Sequence, residues 1–308
     1  MKDIYTALFQ LVVCMALGFV LRKNRVINER SEKTLTEILL QAVLPFSIIA
    51  SSQYRYSEEL FMGMIAVGVA STLYYCVTLL IMRILIRKTK VSNDEARIMI
   101  ATIVFANTGF LGLPLMDSLF GESGLLLAAI YNIMFNIFFY TFGIHIISGK
   151  RFKVSELFLN PVTASSVVAV ILFVIPWRVP HFIIDTVNIV GNMMIPLSMM
   201  IMGSMLTTVD FKKFFVDGKA YIVSLIRLVV IPAVMFLLVY SIGRILPISK
   251  QTASVIVLLT AMPCGVINVI IAEKENRAPK FAARTIIMSF VFMMITLPVF
   301  VYLCYRFF

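Results

Sequence analysis

Two short stretches hold most of the chemistry open to this sequence. One is Asn107-Thr108-Gly109-Phe110-Leu111-Gly112-Leu113-Pro114, and the other is Met262-Pro263-Cys264-Gly265-Val266-Ile267-Asn268. Each interrupts a long apolar run. Glycine and proline there break a helix and release main-chain N–H and C=O groups. In hydrocarbon such groups are tolerated only where protein or a polar cavity satisfies them. The half-helix that follows a break begins with free N–H donors and partial positive charge, which suit an anion. The pattern points to a polar site for an anionic ligand. Its candidate binding residues are Asn107, Thr108, Gly109, Gly112, Pro114, Pro263, Cys264, Gly265 and Asn268. Plainer readings stand beside these. Asn107 and Thr108 can be hydrogen-bonding glue between helices, Asn268 a cap for a half-helix, and Cys264 a small packing residue.

Arg227 and Asn136 join the candidate list from other segments. Arg227 is the one basic residue well inside an apolar run, where a charge is a functional hypothesis by default. It either pairs with an anion or carboxylate, or snorkels to the interface. Asn132, Asn136 and Tyr140 recur at i, i+4, i+8, so they share a helix face. They either line the site or hydrogen-bond a neighbouring helix. Glu37, Gln41, Asn188 and Asn192 form two i, i+4 polar pairs that would fasten helices to one another.

The elements that must carry these residues are membrane helices. Of 308 residues, 60% are apolar and 14% charged, against about 25% charged in a soluble domain. Ordinary soluble enzymes, disordered chains and disulfide scaffolds are excluded. Four scattered cysteines and two histidines suggest neither metal site nor disulfide. The apolar run from Ile4 to Val20 is long for a signal peptide, with its basic residues on the wrong side. Ten apolar segments are expected, at roughly 4–21, 34–52, 60–82, 98–116, 124–147, 161–177, 183–206, 220–243, 252–272 and 282–304. The net charge of +11 sorts onto one face of the membrane. Loops after odd-numbered segments hold 20 of the 27 Lys and Arg residues, the opposite face holds six, and Arg227 lies within a segment. This bias predicts both termini outside, odd-numbered loops in the cytoplasm, and residence in the plasma (inner) membrane.

Ten segments divide into five and five, and an odd number per half forces opposite orientations. Leu44-Pro45-Phe46-Ser47 in segment two matches Ile195-Pro196-Leu197-Ser198 in segment seven. At the same offset of 151 residues, Glu37 and Gln41 fall on Asn188 and Asn192. The two broken stretches occupy corresponding segments, four and nine. An inverted repeat is expected: residues 1–148, a cytoplasmic linker at 149–160, and residues 161–308. Paired broken helices in such repeats mark transporter binding sites.

At these residues the sequence resembles the auxin efflux carrier family, which includes the plant PIN exporters, and specifically its bacterial type. Asn107 to Pro114 is similar to the family's fourth-helix crossover motif. Met262 to Asn268, continuing to Ala272-Glu273-Lys274-Glu275, is similar to the ninth. Gly191-Asn192, Pro196 and Gly203 resemble the seventh-helix pattern, and Arg227-Leu228-Val229-Val230-Ile231-Pro232 the start of the eighth. The resemblance implies an all-α fold like that of bile-acid sodium symporters. Helices one, two, six and seven would form a scaffold, and three to five with eight to ten a moving core. It further implies a homodimer, elevator-type motion, and small carboxylate substrates such as dicarboxylates or auxin-like acids. Two positions depart from the plant pattern: Cys264 stands where glutamine is common, and Asn268 where the crossover proline is.

The resulting expectation is a secondary carrier of small organic anions, surrounded by membrane lipid, with no cofactor and no nucleic-acid partner. No acidic residue lies between Arg97 and Asp117 or between Lys250 and Glu273, so no carboxylate relay is visible at the breaks. Sodium can still bind through carbonyls, Asn and Thr, and coupling to sodium or protons stays open. No phosphate-binding loop appears. The rivals are a ligand sensor with the carrier fold, and an intramembrane enzyme. The enzyme would need clustered carboxylates or histidines, and the close acidic pairs Glu58-Glu59 and Glu273/Glu275 have no histidine beside them.

Overall fold

The computed structural model describes residues 2–87, 93–149, 159–175, 179–207 and 218–308. Most of the expected linker 149–160 lies outside these residues. So do Pro176 and the loop cations Lys88, Lys90, Lys150, Arg151, Lys153, Arg178, Lys212 and Lys213.

The described residues form helices and no strand; two single residues, Ala106 and Cys264, make an isolated antiparallel bridge. In chain order the helices are α1 (Lys2–Lys23), α2 (Glu29–Ser51), α3 (Glu58–Arg87), α4 (Asn93–Val104), α5 (Thr108–Ser148), α6 (Pro161–Val174), α7 (His181–Leu206), α8 (Gly218–Gly243), α9 (Lys250–Thr260), α10 (Val266–Lys274) and α11 (Pro279–Phe307). Six stretches among the described residues are long and apolar enough to cross a membrane: Glu29–Ser51, Glu58–Leu85, Thr108–Ser148, His181–Leu206, Gly218–Gly243 and Pro279–Phe307.

The expected fourth and ninth segments fall short in length. The expected ninth segment is two helices, α9 of 11 residues and α10 of 9. At 1.5 Å per residue they span about 16 and 14 Å, against a hydrocarbon core of about 30 Å. The expected fourth segment is split likewise, α4 ending at Val104 before α5 begins at Thr108. The rest of that segment runs on into the expected fifth as α5. Gly121 (φ 65°, ψ −158°) is the non-helical point in that run, a left-handed conformation suited to glycine.

Proline leaves a common mark in two helices. A wide turn, Leu39–Val43, precedes Pro45 in α2, and another, Ile226–Val230, precedes Pro232 in α8. A proline has no N–H, and its ring crowds the carbonyl four residues back. Hydrogen bonds that reach one residue further, Leu44 to Leu39 and Ile231 to Ile226, open the turn at these points.

The chain forms two compact units. The first contains residues 1–61, 109–129 and 158–210. In it α1 lies against the second part of α7, backbone on backbone. A Cβ on Gly18 would stand 2.0 Å from the Met200 carbonyl oxygen, and one on Gly203 1.8 Å from that of Met15. The first part of α7 meets α2 through Gly191, where a Cβ would be 2.9 Å from the Ser47 Cα. Between helices the Ser204 hydroxyl donates to Glu32, and in the loops the Val179 N–H donates to Gln53 Oε1 (3.0 Å).

The second unit contains residues 62–108, 130–157 and 211–308. Its core includes an aromatic cluster of Tyr74, Tyr75, Phe105, Tyr131, Phe135 and Phe139. At one end, Asp94 and Glu95 in the first turn of α4 meet Arg277 (2.8 Å) and Lys219 (2.6 Å).

The glycine contacts of the first unit make a direct prediction. Gly203→Ala places a methyl group inside the Met15 backbone, and overpacking of this kind costs about 1–3 kcal/mol. Thermal unfolding in detergent is expected to show a lowered midpoint for Gly203→Ala and Gly18→Ala. Gly218→Ala, with nothing within 4 Å of the added carbon, is expected to leave it unchanged.

Candidate functional site

The two interrupted helices meet in the second unit. After α4 the chain is non-helical through 105–107, and after α9 through 261–265. The two non-helical pieces pair antiparallel. The Asn107 N–H donates to the Pro263 carbonyl (2.8 Å), and the Gly265 N–H donates to the Phe105 carbonyl (3.0 Å). Gly265 suits this close approach, because a Cβ there would lie 3.0 Å from both the Phe105 and the Ala106 carbonyl oxygens. Around the bridge, Ser289 Oγ on α11 accepts the Cys264 N–H (3.0 Å). Asn268 Nδ2 donates to Phe105 O and Gly265 O (both 3.0 Å). Thr108 Oγ1 donates to Asn132 Oδ1 (3.2 Å).

Breaking a helix orphans the carbonyls of its last turn. Arg227 answers for several of them. Its side chain, fully buried, projects from the wide turn of α8. Nε donates to Met262 O (2.9 Å), Nη2 to Thr260 O (2.8 Å) and Nη1 to Ile103 O (3.1 Å). Nη1 also donates to the Tyr74 hydroxyl, which in turn donates to Val104 O (2.8 Å). The guanidinium thus ties the ends of α4 and α9 to one another. These bonds put its donors on main-chain carbonyls and one phenol, and no carboxylate pairs with it among the described residues.

Donors are in surplus on the far side of the break. Gly265 caps α10 with no side chain. Among the described residues the N–H groups of Val266 and Ile267 take no acceptor, while Asn268 N–H bonds Gly265 O (3.1 Å). Asn268 Oδ1 is buried with no hydrogen-bond partner. Both protons of its Nδ2 are on carbonyls, which fixes the orientation of the amide.

The structure brings Asn107, Thr108, Pro263, Cys264, Gly265, Asn268 and Arg227 together in one unit. Asn136 is buried in the same unit on α5, one turn beyond Asn132. Gly109, Gly112 and Pro114 continue the chain from Thr108 and fall within the first unit. Of the polar pairs expected to fasten helices, Glu37, Gln41 and Asn192 are exposed and Asn188 is half-buried. Tyr74 and Ser289 were not legible as members of this site. Nothing in the local sequence marks them, since both serve main-chain atoms more than 20 residues away.

The profile of the family described as "Membrane transport protein" matches residues 3–156 and 151–301. The chain belongs to that family. It is an integral membrane transporter and not an enzyme. Among similar members is an uncharacterized transporter of Methanothermobacter thermautotrophicus, 24% identical over 293 residues, covering 93% of this chain and 94% of the relative. An uncharacterized transporter of Methanocaldococcus jannaschii is 22% identical over 296 residues, with the same coverage. In this membrane transport protein the interrupted helices supply a ready set of main-chain donors. No group of three or more His, Cys, Asp and Glu that could hold a metal occurs among the described residues.

Removing one acceptor should be felt at the bridge. Ser289→Ala leaves the buried Cys264 N–H unpaired, a loss of about 1–3 kcal/mol. A lower thermal midpoint than wild type is expected, and an unchanged one would show that Ser289 does not support the bridge.

Proposed function

We propose that this transporter is a secondary carrier of small organic anions, and that the bridge between the interrupted helices is part of its binding site. The observation that carries the reading is the uncapped start of α10. The N–H groups of Val266 and Ile267 lie in a fully interrupted helix with no acceptor of their own. A carboxylate is the acceptor that such a terminus accommodates. Asn107 stands at the bridge beside it, and Asn268 Oδ1 offers a bound molecule one acceptor. Arg227, whose donors are committed to carbonyls, serves the site from behind.

The rest of the proposal extends from the sequence. Ten spans in a five-plus-five inverted repeat accord with the loop charges, with both termini outside and odd-numbered loops in the cytoplasm of the cell. Helices one, two, six and seven act as a scaffold, and the remaining spans carry the site across by an elevator motion. Two copies associate through the scaffold in the plasma membrane. The names of both relatives, as transporters, favour flux over sensing.

The experiment is a thermal-shift screen of the purified protein against mono- and dicarboxylates, with and without sodium. A ligand present at 100 times its Kd stabilises the native state by about 2.7 kcal/mol. At least one carboxylate is expected to raise the midpoint, and the same compound should show saturable uptake in proteoliposomes. Asn107→Ala is expected to abolish both responses. Indifference to every carboxylate would overturn the substrate class; an unaltered Asn107→Ala would overturn the site; binding without flux would make the protein a sensor.

A further inference from the structure

Arg227 is a full positive charge sealed inside the second unit, with no carboxylate partner among the described residues. An isolated buried cation costs several kcal/mol, so its balance must come from elsewhere. The carbonyls it holds show where. Ile103 belongs to the last turn of α4, and Thr260 ends α9. A helix C-terminus carries roughly half a negative charge. Two of them supply about one, equal and opposite to the guanidinium. The other two half-helix termini at the bridge, the start of α5 at Thr108 and the uncapped start of α10, have the opposite sign. Without Arg227, the two negative ends offset the two positive ends. With it, the positive ends alone remain.

We infer that Arg227 is the residue that makes this site select anions. It touches no substrate. It is a positioning residue that holds the ends of α4 and α9 and cancels their negative potential, leaving α10 to attract a deprotonated carboxylate over a neutral molecule of the same shape. The inference rests on the proposed anion site.

The test compares acids with their own amides: acetate with acetamide, succinate with succinamide, and indole-3-acetate with indole-3-acetamide. Binding to the full chain in detergent is titrated for wild type, Arg227→Gln and Arg227→Lys. Wild type is expected to prefer the acid. In Arg227→Gln that preference should fall roughly tenfold, as for loss of one nearby charge in a partly dry interior, with amide binding little changed. Arg227→Lys keeps the cation without the planar fork and should retain more of the preference than Arg227→Gln. A residue that only holds the fold would weaken acid and amide in parallel, and an unchanged ratio in Arg227→Gln would overturn the inference while leaving the anion site standing. A wild type that binds none of the acids overturns both. If Arg227→Gln does not fold, Arg227→Ala is prepared with millimolar guanidinium. Recovery of folded protein with guanidinium but not with urea at the same concentration supports the charge role. No recovery, or equal recovery with urea, overturns it.

Discussion

A carbonyl at the end of a broken helix, deep in an apolar interior, must find a donor. The organisation of the second unit follows from that requirement. Leaving Ile103, Thr260 and Met262 unpaired would cost about 1–3 kcal/mol each, a large share of the roughly 5–15 kcal/mol that keeps a typical domain folded. A lysine in place of Arg227 could not serve three carbonyls and a phenol in fixed directions. The planar fork of a guanidinium can. The wide turn before Pro232 holds Arg227 within its five residues, so a proline in one helix and the breaks in two others belong to one construction.

The two units solve close packing by different means. In the first, helices approach until main chains touch, and glycine at 18, 191 and 203 provides the room. There the constraint is steric, and a single methyl group violates it. In the second, the contacts that matter are hydrogen bonds to main-chain oxygens, and the constraint is the direction of donors. The first kind of contact tolerates no added bulk, whereas the second tolerates no lost polar atom.

How much of this the sequence disclosed follows from the range of each interaction. The breaks at Asn107–Pro114 and Met262–Asn268 were legible because glycine and proline act on their own neighbours. The membrane class was legible from composition, and the family from motifs spread over the chain. The exposed positions of Glu37, Gln41 and Asn192 were not, since i, i+4 spacing fixes a shared face but not what that face meets. Arg227 stands out in the sequence, yet its partners come from α3, α4, α9 and the segment after α9. No local pattern encodes a meeting of residues 74, 103, 227 and 262. Ser289 was invisible for the same reason, one serine among many until Cys264 N–H is seen to need it.

The bridge between Ala106 and Cys264 is built from main-chain atoms alone. Every residue except proline owns such atoms, so the pairing does not depend on which side chains stand at 106 and 264. The identities that matter lie around it: Arg227, Asn268 and Ser289 hold the polar atoms of the two pieces in place. The pairing is thus a main-chain joint clamped by side chains drawn from three other stretches of the chain.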